Sequence, residues 1–378
     1  MTLIYEAPAG DAKRERRLHA IVIGVADYPH LLHGTGPQAA YTFQLGQVEH
    51  PKPSAIAITK WLIEEYRNPE VELGSVELLL SPGETWQRAD GTAVDVARAT
   101  FDEIKSATAA WHARCHSNPG NTSFFYFCGH GMNYLTQLLL PQDFGTAEVA
   151  IPWDRCIDFT RFLTAMRGCA ARTQLFFVDA CRNQPEPLSA LEPYGNPLVF
   201  ANSNVPPPNR LVFYAAAPEQ AVPLRKTGGT TALAEAFLKA MRGAAAQKPS
   251  KAWRVSLFSL SGPLVQLVSK IAARDDLEQT PDPRPEGKDV VLHELDTPLI
   301  FTQIDCETPL ARREAAIELV PDMHSMWLKR VSAAGNSRPW LDDVELGDWE
   351  VLANFKSFAP YQEKVEIGTP FFEWMIER

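Results

Sequence analysis

Short, almost wholly apolar runs alternate with longer amphipathic ones over the first 240 residues. Residues 18–26 (LHAIVIGVA) are apolar without a break, β-branched in the centre and stopped by Asp27-Tyr28-Pro29. That pattern predicts a strand buried on both faces. Residues 54–66 show helical spacing of Ile58, Trp61, Leu62 and Glu65, with Ser54 as the predicted N-cap. Further strands are predicted at 76–80, 122–128 (TSFFYFC), 175–178 (LFFV) and 211–215 (LVFYA), with a strand extension at 138–140. Helices are predicted at 93–115, 154–171 and 231–242. Alternation of this kind specifies an α/β architecture, a mostly parallel sheet with helices on both faces. Ligands of such sheets bind at the carboxyl ends of the strands. The loops beginning at Asp27, Gly129, Asp179 and Ala216 are therefore where chemistry is sought.

The alternation breaks twice. Residues 182–210 hold seven prolines and read as a long irregular loop, a kind that usually carries function. Near Thr280 a Pro- and charge-rich linker (TPDPRPEGKD) opens a region of strand-like segments at 315–320, 327–331, 349–354 and 363–367. The expected organisation is an N-terminal tail (1–17), an α/β domain (18–295) and a small all-β sandwich (296–378). Trp327, Trp340, Trp349 and Trp374 belong to the sandwich, as its core or as a partner-binding surface.

Composition narrows the function. With 45% hydrophobic and 22% charged residues, the 378-residue chain can bury a large core without staples. Its formal charge of −10 argues against nucleic acid or anionic lipid as partner, and no apolar run reaches membrane-spanning length. The first twenty residues lack the apolar stretch of a secretory signal, so a cytoplasmic location is expected. The Lys13–Arg17 run reads as a solvated tail. The six cysteines form no C-x-x-C pair, and Cys115, Cys128, Cys156, Cys169 and Cys306 read as structural thiols. His112 and His116 stand one helical turn apart, but no third metal ligand is discernible beside them, so no metal site is expected.

Two predicted strand ends carry chemistry. One runs into Gly129-His130-Gly131, the other into Asp179-Ala180-Cys181-Arg182, and 51 residues separate His130 from Cys181. That distance allows one helical crossover between neighbouring parallel strands, which would bring imidazole and thiol to one rim. A thiol attacks only as thiolate and needs a base, a role His130 can fill before protonating a leaving amine. The amides of Gly131 and Cys181 are candidate oxyanion donors.

HAIVIGVADYP, FYFCGHG, LLLPQDF, FFVDACRN and YAAAPEQA…TALAEAFLKAM, in this order, resemble the caspase-like cysteine peptidases, above all the bacterial and metacaspase branch. The resemblance spans residues 18–295. It implies a caspase–haemoglobinase fold, cleavage of peptide bonds in protein substrates, Cys181 as nucleophile and His130 as its acid/base partner. Asp179 stands where relatives that cut after Arg or Lys carry aspartate. A carboxylate at the base of the S1 pocket would pair with guanidinium or ammonium and repel a P1 aspartate, so cleavage after Arg in preference to Lys is expected. Two positions depart from the metacaspase pattern. Cys128 replaces a serine before the Gly-His pair, and the loop after the first strand lacks an Asn-Asp pair, with Ser54 near the aspartate's place. Asp27 is the expected second carboxylate of S1, with Cys128 beside it. The 182–210 loop falls at the family's processing linker, and Arg210, Arg225 and Lys226 are expected cleavage sites. An activating protease or regulator protein is an implied partner, and regulated proteolysis in bacterial defence or cell death the implied setting. No cofactor is expected; calcium dependence occurs among metacaspases, but no ligand loop is discernible here. The rival readings are a catalytically idle adaptor that binds partners through its β domain, and a thiol hydrolase of non-peptide esters or amides.

Overall fold

The computed structural model describes residues 1–8, 15–147, 151–184, 193–200, 205–226, 229–249, 251–321, 328–335 and 337–378. They form two compact units. The first, Met1–Ala236 with Leu264–Val291, holds strands β1 (Leu3–Glu6) and β2 (Arg17–Val25), helix α1 (Pro51–Glu64), β3 (Glu72–Ser81), α2 (Phe101–His116) and β4 (Thr122–Cys128). There follow α3 (Phe159–Met166), β5 (Thr173–Asp179), β6 (Asn209–Tyr214), α4 (Ala232–Lys239), α5 (Leu257–Ala273) and β7 (Asp282–Glu286), with α4 and α5 each running from one unit into the other.

One seven-stranded sheet, in the order β1-β3-β2-β4-β5-β6-β7, organises this unit. The five inner strands are parallel and only the two edges run antiparallel. The period-2 alternation of β2, β4 and β5 sends half the side chains to each face. Ile21, Ile23, Phe125, Phe127 and Phe176 pack with Ile104 and Trp111 of α2 and with Phe159 and Phe162 of α3. Phe124, Phe177 and Phe213 stack in a row on the opposite face, with ring centroids 5.4 and 6.4 Å apart. Burying both faces is why these runs are unbroken in apolarity. Gly24 lets α1 lie close on β2, since a Cβ there would sit 2.7 Å from the Pro51 carbonyl oxygen and from Ala55 Cβ.

Several expectations are corrected. Residues 3–6 of the expected tail form the edge strand β1, and the expected linker contributes β7. Pro283 and Pro285 are accommodated in β7 because it is an edge strand, where a missing N–H can face away from the ladder. The expected helix 93–115 starts only at Phe101, where Thr100 accepts the Glu103 N–H, and residues 93–95 pair instead with 85–87. Within 154–171 only Phe159–Met166 is α-helical, capped by Asp158. Ser54 is not a cap, because α1 begins at Pro51. The extension at 138–140 belongs to a separate three-stranded sheet of Gly131–Tyr134, Thr136–Leu139 and Ile157–Asp158. Part of the Lys13–Arg17 run, the strand start at Trp327 and much of the 182–210 loop lie outside the described residues.

The second unit comprises Phe237–Pro263 and Leu292–Arg378, so residues 237–263 group with the C-terminal region rather than with the α/β domain. It contains β8 (Leu299–Cys306), β9 (Ala316–Pro321), β10 (Arg330–Ser332), β11 (Trp340–Glu345), β12 (Gly347–Asn354), β13 (Tyr361–Ile367) and β14 (Phe371–Ile376). A three-stranded sheet β11-β8-β14 and a four-stranded sheet β10-β9-β12-β13 share a core of Ile300, Ile304, Leu319, Val344, Trp349, Val351 and Ile367. Trp349 is core, and Trp340 and Trp374 pack against it half-buried.

Candidate active site

Parallel register sets the site. Gly24, Cys128 and Asp179 lie side by side at the carboxyl ends of β2, β4 and β5. His130 and Cys181 each follow two residues later, so the two strand ends deliver them to the same rim. Both line one cavity of about 350 Å³, together with Cys128, Asp179, Thr231, the 44–51 segment and the 222–225 segment. The volume is that of a pocket able to take a large side chain or small ligand.

His130 is held from three sides. Its backbone N–H donates to the Tyr28 hydroxyl at 2.7 Å, its ring lies 4.6 Å from the Tyr28 ring, and its Nε2 faces the Gly46 carbonyl oxygen at 2.7 Å. A carbonyl only accepts, so Nε2 carries the proton and Nδ1 is the basic nitrogen. Burial lowers the His130 pKa, which the Gly46 hydrogen bond partly offsets. The Gly46 loop is itself anchored: Gln47 bonds the Tyr28 N–H, the Tyr28 carbonyl and the Leu32 carbonyl, while Phe43 packs on Trp153 at 5.7 Å. Phe43 and Gln44 take left-handed φ of 53° and 58°, strain that this anchoring sustains.

Cys181 is the one partly exposed cysteine; the other five are buried. Its Sγ accepts the Val222 N–H at 3.2 Å. Burial raises the thiol pKa; the Val222 hydrogen bond opposes this and the Asp179 charge adds to it. Burial thus shifts both groups toward their neutral forms. Gly131 follows directly. A Cβ there would sit 2.8 Å from the Cys181 carbonyl oxygen and 2.9 Å from Ala180 Cβ, so only glycine lets the two strand ends close up. Gln137 Nε2 holds the same Cys181 carbonyl at 3.0 Å.

Asp179 is buried on the cavity wall. Its Oδ2 accepts from the Tyr126 hydroxyl at 3.1 Å and from the Thr231 hydroxyl, whereas Oδ1 has no hydrogen-bond partner. Burial lifts its pKa to about 6, against the hydrogen bonds from Thr231 and Tyr126. Thr231 is in turn held by Ser54, whose Oγ accepts the Thr231 N–H at 2.9 Å. Ser54 therefore supports the carboxylate from behind.

Other expected residues fall elsewhere. Asp27 is not among the cavity residues; its backbone is tied to β3, where the Ser81 hydroxyl donates to the Asp27 carbonyl at 2.7 Å. Arg210 lies inside β6, 2% exposed, bonded to Gln174 Oε1 at 2.7 Å, and burial lowers its pKa to about 10. A residue paired between two strands is no cleavage site in the folded chain. Arg225 is also buried, on the cavity wall, paired with Asp275 at 3.1 Å and Glu235 at 2.7 Å. Lys226 is exposed. Arg182 is structural: it bonds Asp282 of β7 at 2.7 Å and stacks on Tyr214.

Tyr28, Gly46, Thr231 and Val222 escaped the sequence reading. Tyr28 alone left a signal, as the residue just past the first strand end.

A parallel sheet whose adjacent strand ends set a histidine and a partly exposed cysteine around one cavity defines the class of a caspase-type α/β domain. The caspase-domain model of peptidase family C14 matches residues 17–281, and the chain belongs to this family of caspase-like cysteine peptidases. A curated relative, an uncharacterized protein designated y4kE from Sinorhizobium fredii (strain NBRC 101917 / NGR234), is 34% identical over 124 residues. The match covers 32% of this chain and 35% of the relative, so the chain spans about a third of that protein's length.

Proposed function

We propose that this chain is an endopeptidase that cuts protein substrates after arginine, and less readily after lysine, with Cys181 as nucleophile and His130 as general base and acid. The observation that carries the specificity is the unpartnered, buried Oδ1 of Asp179 on the wall of the cavity that Cys181 also lines. An unpaired carboxylate oxygen in a desolvated pocket is costly until a cation arrives. Arginine is favoured because guanidinium is less strongly hydrated than ammonium. Arg225 does not compensate Asp179, since Asp275 and Glu235 take its charge.

The reaction uses the neutral pair directly. Nδ1 of His130 takes the thiol proton as Sγ attacks the carbonyl carbon, and the N–H groups of Gly131 and Cys181 receive the oxyanion. Collapse expels the amine, which leaves with the proton from His130, and water then hydrolyses the thioester. Substrate entry must compete with the Val222 amide for the sulfur. Exposed Lys226, four residues on, is the proposed processing site, cut by this enzyme or by an activating protease in a regulatory or defence setting.

The test is labelling by an acyloxymethyl ketone bearing arginine, alongside peptides differing only at P1. Modification at Cys181, absent in Cys181→Ala and His130→Ala, is expected, with Arg cleaved faster than Lys and Asp not at all. Absence of labelling would identify an idle adaptor, and faster turnover of P1-Asp would overturn the specificity.

A further inference from the structure

Away from the cavity, the fold completes a donor set that the sequence left incomplete. His112 and His116 occupy one face of the last turns of α2, with rings 5.7 Å apart and 25° from parallel. Cys169 reaches them from the turn between α3 and β5. One nitrogen from each histidine and the Cys169 sulfur lie within 4.8 Å of one another. His112 Nε2 is buried and has no hydrogen-bond partner. Cys169 is 2% exposed and His116 is open to solvent.

We infer that His112, His116 and Cys169 form a structural site for a thiophilic divalent cation, with zinc the best fit. Two imidazoles and a thiolate are borderline-soft donors, unlike the all-oxygen sets of calcium or magnesium. Tetrahedral zinc, with Zn–N about 2.0–2.1 Å and Zn–S about 2.3 Å, needs donors roughly 3.5 Å apart. Small side-chain rotations close the present gap. The fourth position falls to water at the open side, beside His116. Binding costs one existing contact, the Ala170 N–H that His116 Nδ1 accepts at 3.0 Å, when that ring turns to the metal through either nitrogen. The Cys169 thiol gives its proton to solvent as the Zn–S bond forms, so uptake of the ion is accompanied by proton release.

The position assigns the role. His116 precedes β4 by a short turn and Cys169 precedes β5 by another, and these strands begin as register partners at Thr122 and Thr173. The ion would therefore tie two crossover connections at the amino ends of β4 and β5. His130 and Cys181 leave the opposite ends, about 20 Å away along seven-residue strands. A stabilising effect separable from catalysis follows.

The experiment uses the full chain carrying Cys181→Ala, which removes the competing catalytic thiol. Titration with cobalt(II) is expected to give a saturable thiolate-to-metal charge-transfer band and tetrahedral ligand-field bands at one ion per chain. Zinc should displace the cobalt and raise Tm. Adding Cys169→Ser, or His116→Ala at the exposed position where folding is not at risk, should weaken binding on the order of 100-fold or more and remove the Tm increment. Absence of a saturable band, or a band unchanged by both substitutions, overturns the site. Activity is not the readout, so failure here leaves the peptidase proposal standing.

Discussion

Cys128 and Asp179 are register partners across β4 and β5. From that single pairing, His130 and Cys181 emerge two residues past neighbouring strand ends, and Asp179 itself is left beneath them on the cavity wall. The proposed nucleophile, base and specificity group are thus positioned by backbone ladders rather than by loops. Positioning on strand ends is also what makes the following substitutions informative.

Asp179→Asn should abolish the preference for basic P1 residues and lower kcat/KM for arginine peptides about 100-fold or more, in line with leaving a guanidinium without its buried counter-charge. It should also stabilise the protein at neutral pH. The raised pKa means that the folded chain holds a proton the unfolded chain has lost between 3.8 and about 6, so stability falls as pH rises across that interval. The loss amounts to about 3 kcal/mol above it. Thermal melts at pH 8 and P1 kinetics on the same variant measure both effects; a lower Tm with retained arginine preference would contradict the assignment.

The proposed mechanism predicts acid sensitivity from two sources. Asp179 must be ionised to hold the P1 cation, and His130, whose pKa burial lowers, must be neutral to accept the thiol proton. Activity on arginine peptides should therefore climb steeply as pH rises to about 6 and level off above it. In Asp179→Asn the residual activity should climb less steeply, with only His130 titrating. Superimposable acid limbs in the two proteins would remove Asp179 from the scheme.

Tyr28→Phe deletes the hydroxyl that accepts the His130 N–H and reaches the Leu140 carbonyl at 3.2 Å. An unpaired buried amide costs about 1–3 kcal/mol. A drop in kcat of tenfold or more is expected with KM little changed, because His130 is misplaced while the S1 pocket is intact. A change confined to KM would mean that Tyr28 acts on substrate binding instead.

Gly131→Ala forces a methyl onto the Cys181 carbonyl and Ala180. Overpacking of this kind costs about 1–3 kcal/mol of stability. Separating the oxyanion donors should cost about 100- to 1000-fold in kcat/KM. Wild-type kinetics in a folded Gly131→Ala protein would exclude the Gly131 amide as a donor.

Processing should leave one signature by mass spectrometry of the incubated enzyme. A cut after Lys226 is expected in wild type and absent in Lys226→Gln. Cuts after Arg210 and Arg225 are not expected while the chain is folded, since the first lies in β6 and the second is ion-paired on the cavity wall. Cleavage after Arg210 in protein that retains its native melt would refute this.

Much of the α/β scaffold was legible because β2, β4, β5 and β6 are buried on both faces, a condition that writes itself as unbroken apolar runs. The glycine-flanked His130 and the Asp-x-Cys at 179–181 were legible for a related reason: strand ends in parallel sheets are where side chains can meet a ligand. The start of α2 was not, since apolar spacing continues past the Thr100 cap into a hairpin at 85–95. Neither was the strand β7, whose prolines look like a linker until an edge position explains them.

What the chain order alone determined was which residues sit at strand ends, because burial periodicity is local and one-dimensional. Which of those ends become neighbours was decided only by the sheet order and register, which set Cys128 against Asp179, left Asp27 outside the cavity lining and buried Arg210 and Arg225. The same holds for Cys169 beside His112 and His116: donors more than fifty residues apart are joined by packing of connections, a long-range contact that no spacing rule encodes.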